Sequence, residues 1–142
     1  MVISRATECA VRAMVFIAGF PPDQVVAKQD ICRTQEITPA FLIKIMQPLR
    51  AAGLVNSYRG AAGGFSLAKP PSAINLWDIV CAIEGPVYLN KCMVGESHCN
   101  RDTVCKVHQV WHKAKADLEH TLGQATLSGL VQENSGGLVQ RE

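Results

Sequence analysis

Nowhere in the 142 residues does an apolar run approach the roughly 20 residues that a helix needs to cross a bilayer. The apolar stretch at 14–20 is interrupted upstream by Glu8 and Arg12 and is followed by Pro21-Pro22 in place of a small-residue cleavage site. Neither a membrane span nor a secretory leader is expected, and the chain reads as cytoplasmic. Also missing are a phosphate-binding glycine loop, an H-E-x-x-H pair and paired catalytic carboxylates, which removes the commonest enzyme signatures. Short C-x2-C knuckles are absent too, and with them the usual form of a structural zinc site. Aromatic residues are few, two Trp, two Tyr and four Phe, but a hydrophobic content of 48% excludes disorder and fits one modest core with an appendage.

What is present is asymmetric. Residues 1–75 hold eight Lys and Arg against four acids, whereas the remainder holds six against eight, so the first part is suited to meet a polyanion. Six cysteines in a cytoplasmic chain argue against a disulfide framework and toward metal or redox chemistry.

The hydrophobic period predicts a first helix from Ser4 to Phe20, with Ser4 as N-cap and Pro21-Pro22 as the stop. A short second helix fits 27–34, with Ile31 inward. Thr38-Pro39 is an N-cap followed by proline at the first helical position, and opens a third helix. Its inward stripe is Leu42, Ile45, Met46 and Leu49; Ala40, Ile43, Lys44, Gln47 and Arg50 point outward, and Gly53 supplies the left-handed cap. Pro48 inside that helix predicts a kink or an early end. Strands at 54–58 and 65–68 flank the glycine-rich turn 59–64, and Asn75 caps a fourth helix running to Glu84. Val107, Trp111, Ala114, Leu118 and Leu122 recur at steps of four, three, four and four, so a long helix from about Thr103 carries a narrow stripe suited either to a second subunit or to internal packing. Thr126 caps a terminal turn, and 134–142 reads as a disordered tail.

Two short helices, a strand, a glycine turn and a returning strand have the order of a winged helix-turn-helix. The major groove of DNA admits a helix that exposes hydrogen-bonding side chains near its N-terminus, and Thr38, Lys44 and Gln47 are placed for that. Gly60, Gly63 and Gly64 let the wing backbone turn tightly and approach phosphates, and Arg59 offers a long cation for the minor groove. Leu49-Arg50, Gly53-Leu54-Val55 and Arg59-Gly60-Ala61-Ala62-Gly63-Gly64-Phe65 resemble the IscR/NsrR family of bacterial regulators, as do Glu8-Cys9-Ala10 and Glu84-Gly85. The resemblance implies a homodimer with crossed long helices on a partly palindromic double-stranded operator, contacted through Thr38, Ala40, Lys44, Gln47 and Arg59. Ile43, where relatives carry a polar reading residue, and Pro48 depart from that pattern.

Cys92, Cys99 and Cys105 follow C-x6-C-x5-C, with His108 three residues on. Thiolates and imidazole bind zinc or the iron of a cluster, and these long spacings suit a cluster better. The loop resembles the three-cysteine loop through which family members hold an iron-sulfur cluster, 2Fe-2S or 4Fe-4S. His108 matches the family histidine as fourth ligand; Glu8 is the alternative, because some members use an acidic residue there from the other subunit. A thiol-disulfide switch or a zinc site is the competing chemistry for the same cysteines. Cys32 and Cys81 fit apolar helix faces and Cys9 a small core position, although Cys9 also stays open as a ligand. His112 shares a helix face with His108, so a two-histidine metal site or a solvated surface are both open. The expected organisation is mainly α with a small β-hairpin wing: a DNA-binding domain at 1–86, a cluster loop at 87–105, and a dimerisation helix with its terminal turn at 106–133.

Overall fold

A computed structural model describes residues 3–94 and 105–131. Helix α1 (Arg5–Ala18) starts where the Ser4 hydroxyl accepts the Thr7 amide at 3.2 Å, and ends at Gly19, two residues before the proline pair. The strand β1 (Val26–Ala27) and helix α2 (Lys28–Gln35) follow. A three-residue turn, with Glu36 at φ 55, joins α2 to α3 (Pro39–Ala51). Strands β2 (Val55–Tyr58) and β3 (Gly64–Leu67) form the wing, α4 (Leu76–Glu84) closes the body, and α5 (Lys106–Gln124) packs against α4.

The sheet is three-stranded and antiparallel in the order β1-β3-β2, one strand more than the hairpin read from the sequence. Ala27, expected in α2, instead pairs with Gly64, and Val26 pairs with Phe65. Every residue of β3 is buried, as a central strand with α1 against one face requires. The buried Ser66 hydroxyl donates to the Tyr58 hydroxyl at 3.2 Å, so the polar group inside that strand is satisfied.

Pro48 does not end α3, which continues to Ala51. The bond it omits would have gone to the carbonyl of Lys44, on the helix's exposed side, where water replaces it at little cost. Leu42, Ile45, Met46 and Leu49 are buried as the period predicts, and Gly53 at φ 75 turns the chain into β2. Helix α4 opens with a full capping box: Asn75 accepts the Asp78 amide at 2.9 Å, and Asp78 accepts the Asn75 amide at 3.1 Å. After α5 the chain returns to the body. The Leu76 amide donates to Ala125, the Leu127 amide donates to Ile74, and Leu127 is fully buried. Thr126 then caps the turn at 127–131 by accepting the Gly129 amide at 3.3 Å. The tail at 134–142 lies outside the described residues. Among the described residues no helix is long and apolar enough to cross a membrane.

The two ends of the body are tied by one carboxylate. Glu84 accepts the Ser4 amide at 3.0 Å and the Thr7 hydroxyl at 2.5 Å, fastening the C-terminus of α4 to the N-terminus of α1. The Ser4 and Thr7 hydroxyls and the Ser4 amide together hold its carboxyl below the ordinary range. A depressed folded-state value stabilises the fold above the unfolded pKa, and that contribution is lost as the pH falls through the folded value. Glu84→Gln should therefore cost about 1 kcal/mol at pH 7 for this exposed, charge-assisted cluster, and the deficit should begin to shrink below about pH 4 and vanish only once the pH has fallen through the depressed folded-state value. Urea titrations of both proteins across that range check this.

Candidate nucleic-acid interface and cysteine-bearing segment

The outer face of α3 and the wing enclose a groove of about 570 Å³, lined among others by Lys28, Ile43, Gln47, Arg50, Tyr58 and Arg59. Thr38, Ala40, Lys44 and Gln47 are exposed along α3, and Arg59 and Gly60 are exposed at the wing tip. The Thr38 hydroxyl is committed to capping the Phe41 amide at 3.3 Å, so at this position its own capacity to read a base is reduced. Ile43 stands on the same outer face with 42% of its surface exposed, an apolar group among polar ones. Among the described residues no carboxylate pairs with Lys28, Lys44, Arg50 or Arg59; the ion pairs are Glu8–Arg12, Asp30–Arg33 and Lys113–Asp117. Four free cations around one groove and helix face are what a phosphate backbone requires.

Nothing in the local sequence marks Lys28 or Tyr58 as an interface residue, and the helical period marks Arg50 only as outward-facing. Lys28 reaches the groove because β1 pairs with β3 and sets the start of α2 beside the wing, a tertiary effect that local pattern does not announce. Gly64 has the same origin. A Cβ there would lie 2.0 Å from the Val26 carbonyl oxygen, so pairing of β1 with β3 requires glycine. At Gly63 a Cβ would meet the Tyr58 carbonyl at 2.4 Å, which fixes the tight wing turn.

The helix-turn-helix is braced from α1. Arg12 donates to the carbonyl of Gln35, the last residue of α2, while pairing with Glu8 at 3.6 Å. A cation at a helix C-terminus is favourable, and here it also holds the turn that launches α3. Glu8 thus has a partner within its own helix.

Of the cysteine loop, residues 95–104, with Cys99 and His98, lie outside the described residues. The parts on either side converge on α5. Cys92 sits in a 3-10 turn (Lys91–Met93) packed against α5, and Cys105 is the N-cap of that helix. Lys115 lies 5.3 Å above the Tyr88 ring, and Val87 and Met93 are buried, so the incoming strand of the loop is fastened alongside α5. His108, one turn into α5, has a buried Nδ1 with no hydrogen-bond partner among the described residues; its Nε2 lies 2.9 Å from Nε2 of His112. Among the described residues no three His, Cys, Asp or Glu side chains gather at one point.

The other cysteines are placed differently. Cys9 is in the core at 2% exposure. Cys32 and Cys81 are half-buried, and burial raises both thiols above their ordinary value; Glu119 and Asp78 add to the effect at Cys81, whereas Lys28 opposes it at Cys32. A thiol held protonated is a poor ligand and nucleophile, so Cys32 and Cys81 fit packing positions, as does Cys9 by its burial.

The profile of the Rrf2 family, described as iron-dependent transcriptional regulator, matches residues 3–133. A protein of Aquifex aeolicus assigned as an HTH-type transcriptional regulator is 30% identical over 133 residues, covering 92% of each chain. One of Mycobacterium tuberculosis is 34% identical over 132 residues, covering 92% of this chain and 81% of its own. Among solved structures, CymR, the global cysteine regulator of B. subtilis, superposes with a TM-score of 0.76 at 26% identity, covering 94% of this chain and 98% of its own. IscR of T. potens does so with a TM-score of 0.76 at 27% identity, covering 100% and 93%.

Two outcomes follow from the wing geometry. Gly64→Ala should separate β1 from β3 and cost about 3 kcal/mol in urea denaturation. Arg59→Ala should leave stability within about 0.5 kcal/mol while lowering DNA affinity and reducing the slope of log K against log salt by about 1, as measured by fluorescence anisotropy.

Proposed function

Since the chain belongs to the Rrf2 family of transcriptional regulators, we propose that an iron-sulfur cluster held by Cys92, Cys99, Cys105 and His108 controls how tightly its winged helix-turn-helix binds an operator. The protein is a helix-turn-helix transcriptional regulator that binds DNA, not an enzyme. The observation that carries the cluster reading is the buried, unpartnered Nδ1 of His108, one turn from Cys105 and on the helix against which the Cys92 turn packs. An imidazole nitrogen left without a partner in a buried place costs about 1–3 kcal/mol, and a metal bond would remove that cost. Thiolates and an imidazole are a donor set that fits an iron-sulfur centre. Such a cluster supplies iron chemistry that responds to redox state, nitric oxide or iron-sulfur supply. Glu8 is the weaker candidate for fourth ligand, because Arg12 already pairs with it.

In this reading Thr38, Ala40, Lys44, Gln47, Arg59, Gly60, Gly63 and Gly64 face the operator, joined by Lys28 and Arg50 from the same groove. Phosphate contacts by the cations set register, and Gln47 is an exposed polar group on α3 suited to read a base edge. The partner is a partly palindromic duplex bound by a homodimer. The dimer is supported by α5, which has no fully buried residue over a length of about 28 Å and leaves Val107 56% and Val110 63% exposed. A cluster changes operator affinity only through different affinities for two arrangements of that dimer.

A thiol switch on the same cysteines is the second reading, favoured by the likeness to the cysteine regulator CymR. Anaerobic purification distinguishes them. The cluster reading expects iron and acid-labile sulfide, with visible absorbance lost in Cys92→Ala and operator affinity altered when the cluster is removed. A colourless protein without iron, whose DNA binding follows thiol oxidation instead, overturns it.

A further inference from the structure

The proposed function leaves open which nitrogen of His108 faces the cluster and what decides it. Either ring nitrogen of a neutral histidine can hold the proton, and only the other can bind a metal. In this chain the two are in different surroundings. Nε2 is 2.9 Å from Nε2 of His112, whose ring crosses that of His108 at 76° with centroids 4.4 Å apart. Nδ1 is buried with no partner among the described residues.

Two proton arrangements are consistent with a hydrogen bond between the Nε2 atoms. If His112 donates, the remaining proton of His108 sits on Nδ1, leaving a buried N–H donor without an acceptor. If His108 donates, Nδ1 carries only a lone pair. Orphaned buried N–H groups are rare, while an under-used acceptor is tolerated more often, so the second arrangement is favoured. His112 is exposed, so its own Nδ1 exchanges hydrogen bonds with water in either case.

We propose that His112 is a positioning residue: it accepts the Nε2–H of His108, fixes that tautomer and ring orientation, and so leaves the Nδ1 lone pair of His108 free to bind iron. This rests on the reading of His108 as a ligand. It assigns a role to a residue that touches no cluster, in the way a metal-bound histidine generally donates its second N–H to a fixed partner. The helical spacing makes the partnership possible, because side chains four residues apart lie on one face. Cys105, the N-cap, and His108 stand one turn apart at the start of α5, and His112 follows one turn further along the helix, away from Cys105.

The first measurement uses the cluster-free full chain and long-range proton–nitrogen correlation spectra, under conditions where each ring carries one proton. The expected result is His108 as the Nε2–H tautomer in the wild type and in His112→Gln, whose amide oxygen can still accept, and a mixture of tautomers in His112→Ala. A wild-type His108 protonated on Nδ1, or a tautomer ratio unmoved in His112→Ala, overturns the proposal. The second measurement uses the anaerobically loaded protein. Loss of the cluster to a chelator should be about 10- to 100-fold faster in His112→Ala and near wild type in His112→Gln. Pulsed electron paramagnetic resonance of the reduced cluster should show coupling to one imidazole nitrogen. A loaded cluster without nitrogen coupling overturns ligation by His108, and with it the proposed function, even where the tautomer measurement gives the expected result.

Discussion

Cys9, Ala10 and Ala13 give α1 a buried face of small side chains, and α2, α3, α4 and β3 all pack against that helix. Small residues let four elements approach one axis closely, which is what places a recognition helix, a wing and the closing helix α4 around a single core. Met14 and Ile17, also buried, fill the space that the small residues leave. Any enlargement at Ala10 or Ala13 would displace several neighbours at once, since a close-packed interior does not absorb extra volume locally. The reading head is therefore rigid because of residues that never approach DNA.

Polar contacts then fix the angles that packing alone leaves free. Glu84 joins α4 to the start of α1, Arg12 joins α1 to the end of α2, and the Asn75–Asp78 box fixes where α4 begins. Leu127 closes the far side: buried beneath the 74–76 segment, it anchors the chain beyond the end of α5. Helix α5 is thus held at its C-terminal end by a core residue and along its first half by the Tyr88 and Lys91–Met93 segment. It also packs against α4 between those anchors, while Val107 and Val110 stay exposed.

Features written in adjacent residues are legible in the amino-acid order alone. Ser4, Thr38-Pro39 and Asn75 act as the N-caps their chemistry predicts, and the stripes of α1, α3 and α4 are buried with the expected period. What the sequence conceals depends on distant partners. Two residues, Val26 and Ala27, form a strand only because β3 offers an edge, and that pairing alone explains Gly64 and the arrival of Lys28 in the groove. Pro48 suggests a broken α3, yet its missing hydrogen bond falls on the solvent side and burial of Leu49 just beyond it keeps the helix going. Glu36 takes a left-handed conformation more usual for glycine, held by backbone bonds to Cys32 and by the packing of Ile37. Of the proposed cluster ligands, Cys105 and His108 stand one turn apart at the start of α5 and Cys92 lies in a turn packed against that helix, without three ligating side chains gathered at one point among the described residues; Cys99 falls outside them.

The position of the proposed sensor constrains how it can act on DNA. Its described residues lie on α5 and on the Lys91–Met93 turn packed against it, and none of them lines the groove of Lys28, Gln47 and Arg59, so that groove feels a change there through the body or through the partner. The body is one packed core around α1, and such cores repack between discrete states more readily than they deform by degrees. Helix α5 is the exception, with no fully buried residue and its exposed valines near the Cys105 end. In the proposed dimer, a change in the loop therefore acts most directly on how the two α5 helices meet. In that dimer the contact would set the distance between two recognition helices, which a palindromic operator would require to match its half-site spacing. On this proposal each reading head would keep its structure and the sensor would govern whether both engage the duplex at once, so that the effect on affinity would follow from the loss of one of two linked contacts.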